Sequence, residues 1–401
     1  MGIIEYKFFI AGRFIFLMGL RMTATIIGWW IYLLTKSPLA LGLVGLSEVI
    51  PALLLALPAG HYIDITEKRK LLLKCISLYT ICIGVLVYLS SAHAAASFSP
   101  LALATCICGV IAATGAIRAF SGPTFSAMIA QIVPPTLLPA AVSISSATWL
   151  IGSIAGHAAG GFMIAYLGIH NSFFFILALV ITGLLLLSNL KVKPILHKAT
   201  SNSWNSMMEG LNYVFKTKEI LGAMTLDLFA VLFGGAVALV PIFAKDILHI
   251  GPVGFGWLNA AADIGSIIMV TILTIRPLKR NQGRILFFAV GGFGICILLF
   301  ALSKFYWLSF AALLLSGCMD GISVIIRSTI LQLKTPGELR GRVMSVNSMF
   351  INSSNELGQF ESGVMAKLLG VVPSVIFGGS MTIAVALITW FKAPSLRKME
   401  Y

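Results

Sequence analysis

Apolar runs of about twenty residues recur from one end of the sequence to the other, separated by short polar turns. A run of that length, wound as an α-helix rising about 1.5 Å per residue, crosses a hydrocarbon core of about 30 Å. Backbone groups inside that core have no water to bond, so a crossing is either a helix or a strand of a closed barrel. Barrel strands alternate in polarity over about 10 residues; these runs do not alternate. Charged residues make up 10% of the chain, against about 25% in a soluble domain. The sequence therefore describes an all-α polytopic membrane protein. Its first run lacks a small-residue cleavage pattern and reads as a retained helix.

Twelve spans are expected, at 9–34, 40–62, 71–91, 99–121, 138–167, 171–190, 220–246, 252–275, 284–303, 305–333, 341–369 and 372–392. The formal charge of +14 invites a nucleic-acid reading, but topology accounts for it. Loops on one side carry Lys7, the cluster Lys68 to Lys74, Lys191, Lys193, Lys198, Lys216 and Lys218, the cluster Arg276 to Arg284, Lys334, Arg340 and Arg342, and the C-terminal Lys392, Arg397 and Lys398. Loops on the other side carry Lys36, Lys245, Lys304 and Lys367. That bias places the basic side and both termini in the cytoplasm. The six cysteines all fall in apolar segments without metal-ligand spacing, which reads as buried structural cysteine.

The longest polar stretch, 191–218, divides the chain into a six-span bundle at 1–190 and another at 219–401. The halves echo each other. Gly156, Gly161, Met163, Leu167 and Gly168 recur 202 residues later as Gly358, Gly363, Met365, Leu369 and Gly370. Arg118, late in span 4, parallels Arg327, late in span 10. A parallel six-plus-six repeat of this kind implies a substrate site between the halves near the middle of the membrane, worked by alternating access.

Residues 60–70, between spans 2 and 3, read GHYIDITEKRK. With the twelve spans and the central loop, they resemble the major facilitator superfamily, whose signature G-x-x-x-D-R-x-G-R-K is echoed by Gly60, Asp64, Lys68 and Arg69. Ile65 and Glu67 stand where that signature has a base and a glycine. The phrases at 337–346 and 354–366 resemble the drug- and siderophore-exporting subgroup that includes macrolide and enterobactin exporters. The resemblance implies a cytoplasmic gate in which Asp64 meets the start of span 11 near Arg340 and Arg342, with Arg118 and Arg327 at the same side. Gly152, Gly156, His157, Gly160 and Gly161 resemble an antiporter motif of span 5, with His157 in place of its proline. Glycines at such spacing give a smooth face on which another helix can lie close.

Ionisable groups inside a membrane are costly and are the first candidates for function. Arg21 in span 1 and Glu48 in span 2 fall near mid-membrane and are expected to pair, the arginine tuning a proton-carrying carboxylate. Asp227 and Asp263 are candidates without a base in their own helices. Asp320 and Arg327, seven apart, are expected to meet other helices rather than each other. Glu356 and Glu361 make span 11 unusually polar, as a cavity-lining helix would be. Trp29, Trp30, Tyr32, Phe120, Phe125, Trp149, Phe229, Phe233 and Trp257 are aromatic candidates for a pocket wall, with packing or interfacial anchoring as the alternative for each. No G-x-x-x-x-G-K-[ST] loop and no catalytic constellation is present, so no cofactor and no enzymatic activity are expected.

These readings describe a monomeric secondary transporter of the cytoplasmic membrane, in contact with lipid and not with nucleic acid, driven by the proton gradient. Its expected cargo is a small amphipathic organic molecule, a drug or siderophore moved outward. A lysophospholipid flippase and a non-transporting receptor or scaffold are the alternatives.

Overall fold

The computed structural model describes residues 2–193 and 203–400; Lys198 and the 194–202 part of the linker lie outside them. Among the described residues every regular element is helical. Ten stretches are long and apolar enough to cross a membrane. The count reaches the expected twelve through two features. The helix Leu138–Ser188 is two crossings joined at Gly168, whose φ of +73° leaves the helical region. The other is Arg340–Leu369, a full-length helix made too polar to stand out by Asn352, Asn355, Glu356, Gln359 and Glu361.

The spans are α1 Gly2–Thr35, α2 Pro38–Ile65, α3 Lys68–Leu89, α4 Pro100–Ile132, α5 138–167 and α6 169–188. They continue as α7 Lys218–Phe233, α8 Pro252–Ile275, α9 Gln282–Leu302, α10 Tyr306–Lys334, α11 Arg340–Leu369 and α12 Val371–Lys392. Local chemistry explains several boundaries. Ser99 caps α4 by accepting from the Ala102 N–H at 3.2 Å, and Pro100 occupies its first turn. The seventh crossing, expected to be continuous, breaks after Phe233 at Gly234–Gly235 and resumes as short irregular turns from Ala236 to Ile247.

Two compact units form. Unit 1 comprises Met1–Lys36, Ser47–Thr200 and Gly251–Ala260; unit 2 comprises Ser37–Leu46, Ser201–Ile250 and Ala261–Tyr401. The division differs from the expected 1–190 and 219–401 at two helix ends: the start of α2 groups with unit 2, and the start of α8 with unit 1. The core of unit 1 contains a run of packed rings, Phe9 and Phe16 against Phe125, and Phe16 against Tyr79. Trp29, Trp30 and Tyr32 are buried there too, so these rings are packing elements. Unit 2 is built around Leu226, Leu286, Phe287, Ile326 and Ile330. The cysteines divide: Cys75, Cys296 and Cys318 are buried, whereas Cys106 is exposed.

The repeat seen in the sequence is a repeat of contacts. Gly156 lets α5 meet α1, where an added Cβ would stand 2.7 Å from the Met18 carbonyl oxygen. Gly358, 202 residues on, lets α11 meet α7, 2.9 Å from the carbonyl oxygens of Val231 and Leu232. Gly161 abuts Gly256 at the start of α8, and Gly363 abuts Gly42 at the start of α2. Gly168 and Gly370 both take positive φ, +73° and +94°, a conformation glycine adopts without a Cβ penalty. Each repeated glycine thus has the same role in its own unit.

The polar linker is not all loop. Ser203–Lys216 is a helix. Its apolar face packs Val214 against Ile220, Met224, Leu331, Val343 and Val346. Its polar face pairs Glu209 with Arg342, and the Tyr213 hydroxyl donates to the Lys334 carbonyl at 2.5 Å. Gly210 allows this helix to lie on the backbone of Arg342.

Candidate functional site

In unit 1 the site begins with a glycine. A Cβ at Gly115 on α4 would overlap the carbonyl oxygen of Glu48 on α2, so the two backbones touch. One turn further along α4, Arg118 then reaches the Glu48 carboxylate and forms an ion pair. Glu48, expected to pair with Arg21, is found in an ion pair with Arg118. The reason is the close crossing at Gly115. Tyr79 on α3, fully buried, stands near this pair and against Thr23. Arg21 holds its guanidinium 5.0 Å over the ring of Trp149 on α5, a cation–π arrangement.

The antiporter-like glycines are spent on contacts. Gly152 faces Phe14 and Leu17 of α1, Gly156 faces Arg21 and Met18, and Gly160 faces Thr25. His157, in the place of the motif's proline, is joined through Nδ1 to the Thr25 hydroxyl at 2.7 Å. It serves as a hydrogen-bonded link between α5 and α1.

In unit 2 the crossing of α8 and α10 is tighter. A Cβ at Gly265 would overlap the Leu314 carbonyl oxygen, and one at Gly317 would overlap that of Ala262. Ser266 donates to the Gly317 carbonyl at 3.0 Å. Around this crossing Arg327 of α10 pairs with Asp227 of α7. Its other terminal nitrogen lies 3.7 Å from Asp320, and Asp263 of α8 stands near enough to act on Asp320 electrostatically. Asp320 and Arg327, expected to meet other helices, do approach each other. Seven residues separate them by about 10 Å of helix rise, but side chains lean toward the helix N-terminus and arginine is long enough to close the gap. Asp227 and Asp320 also line a narrow cavity with about 10 Å³ of free space, room for about one water.

Glu356 accepts from Gln359 at 2.8 Å. Glu361 buries one carboxylate oxygen that has no hydrogen-bond partner. At 60–70, Asp64 is exposed, and Gly60 has open space where a Cβ would stand. Lys68 donates to the Ile63 carbonyl at 3.3 Å, and Arg69 to the Ser188 carbonyl at the end of α6 at 2.6 Å. Glu67 pairs with Lys70. Arg340 and Arg342, the expected partners of Asp64, engage the Gln332 carbonyl and Glu209.

Comparison with known families places this architecture. The sequence model of the Major Facilitator Superfamily matches residues 9–359. The chain belongs to that superfamily. It is accordingly a multi-pass membrane transporter for a small molecule, and not an enzyme. Among curated relatives, the multidrug efflux pump Tap of Mycolicibacterium fortuitum is 23% identical over 401 residues, covering 95% of this chain and 94% of Tap. The uncharacterized MFS-type transporter YfmI of Bacillus subtilis (strain 168) is 24% identical over 290 residues, covering 69% of this chain and 70% of YfmI. Solved structures of the same fold include the nucleoside transporter NupG, with a TM-score of 0.73 at 14% identity, covering 99% of this chain and 100% of that one. A D-xylose-proton symporter has a TM-score of 0.76 at 14% identity, covering 99% of this chain and 100% of the symporter. At such identities these structures share the fold with this superfamily member and say nothing of its cargo.

Proposed function

We propose that this superfamily member exports a small amphipathic organic compound across the cytoplasmic membrane in exchange for protons, as a monomer with both termini in the cytoplasm. The observation that carries the reading is the placement of acids against arginines inside apolar helices: Glu48 with Arg118, and Asp227 and Asp320 with Arg327. Buried carboxylates are costly to keep ionised, and a neighbouring arginine offsets that cost. A change in their spacing exchanges a proton with water. Outward direction is supported by the efflux activity in Tap's name and by the glycine-lined contact of α5 with α1. Amphipathic cargo is supported by the half-exposed Trp149 beneath Arg21.

The test is accumulation of fluorescent amphipathic compounds, drugs and siderophores in cells with and without the transporter. Expression is expected to lower accumulation several-fold, and a proton uncoupler to abolish the difference. Equal accumulation with an uncoupler present or absent would remove proton coupling. Higher accumulation on expression would reverse the direction.

A further inference from the structure

The 202-residue register that aligns the glycines of α5 and α11 also aligns Gly115 with Gly317. Both make the close crossing of their own unit, α4 on α2 and α10 on α8. Three residues beyond each glycine the chemistry inverts: Arg118 in unit 1, Asp320 in unit 2. Arg118 is therefore not the counterpart of Arg327. Unit 1 sets a base against the acid Glu48. Unit 2 sets an acid near two others, Asp263 of α8 and Asp227 of α7.

Arg327 serves those acids unequally. It is in direct contact with Asp227, and the two side chains are 7% and 8% exposed. Asp320 lies 3.7 Å from it, too far for a hydrogen bond, with its side chain 39% exposed. Ala289, Val290 and Phe293 of α9 form part of the shared cavity wall and bring no charge. Two carboxylates sharing one guanidinium in a low-dielectric site do not both ionise readily.

We propose that Asp320 is the exchangeable protonation site of unit 2, while Asp227 stays ionised as the fixed partner of Arg327. The assignment rests on the proton-coupled reading above. The Asp320 carboxylate takes a proton from water at the cavity, forming an O–H bond, and returns it to water by breaking that bond. Each transfer changes the repulsion between Asp320 and Asp263 across a helix crossing where Gly265 and Gly317 leave no slack.

The test is infrared spectroscopy of the purified full-length protein in lipid nanodiscs, titrated across the neutral range and read at the carbonyl stretch of a protonated carboxylic acid. Wild type is expected to show a band that appears and disappears with pH, Asp320→Asn to lose it, and Glu361→Gln to keep it. Asp320→Glu retains the carboxyl group and is expected to keep a titrating band, which guards against a misfolded asparagine variant. A wild type without such a band, or a band unchanged in Asp320→Asn, would overturn the assignment. The readout needs no cargo, so it stands even if no compound is exported. A band lost in Asp320→Asn alongside unaltered gradient-driven transport would instead reject the coupling role and leave the protonation site in place.

Discussion

Gly317→Leu is expected to leave little or no folded protein, whereas Gly109→Leu is expected to fold like wild type. Both glycines are in long apolar helices, α10 and α4. A Cβ at Gly317 would overlap the Ala262 carbonyl oxygen, and nothing lies within 4 Å of one at Gly109. A backbone oxygen has no rotamer to escape into, so α8 and α10 would have to part. That separation would also lose the Ser266 bond to the Gly317 carbonyl and the matching contact at Gly265. Overpacking a well-packed contact costs about 1–3 kcal/mol, and this site lies at or above the top of that range. Monodispersity of a fluorescent fusion on size-exclusion chromatography reads the result. A monodisperse Gly317→Leu protein at wild-type yield would show that the crossing is looser than described.

Arg327→Met is expected to be the most damaging change of charge. It leaves Asp227 buried with its counter-charge removed, and stranding one partner of a buried pair costs about 3–5 kcal/mol. The double change Arg327→Met with Asp227→Leu removes both charges and is expected to recover most of the lost stability, because a buried pair contributes little over an apolar replacement. Arg118→Met is expected to cost less, since the Arg118 and Glu48 side chains are 33% and 20% exposed. Thermal unfolding in detergent separates these cases. Equal melting of Arg327→Met and wild type, or no recovery in the double variant, would contradict the pairing.

The bilayer made much of the fold legible. A span must be long and apolar to cross, so hydropathy marks most of the helices, and the polar α11 is marked by its glycine register with α5. What the sequence did not reveal was which charge meets which. Glu48 and Arg118 are 70 positions apart, and their meeting depends on Gly115, whose role is set by a neighbouring helix. The spacing of Gly115 and Gly317 was present in the sequence and could have been found by extending the 202-residue register upstream. Axial rise alone separates Asp320 from Arg327 by about 10 Å, and the reach of the arginine side chain closes that gap. The helix at Ser203–Lys216 was hidden by its serines and asparagines, although Leu211 and Val214 mark one apolar face. The rings of Trp29, Trp30 and Tyr32 look alike in sequence whether they line a pocket or fill a core, and packing against Phe255 and Phe173 decides for two of them.

The proposed cycle exchanges protons for an amphipathic cargo. Its most direct test uses the purified protein in proteoliposomes under an imposed pH difference, with cargo and proton fluxes recorded together. Cargo is expected to move toward the acidic side against its own gradient while protons move the other way, and collapsing the pH difference is expected to stop both. Cargo that equilibrates regardless of the pH difference, or that travels in the same direction as the protons, would contradict it.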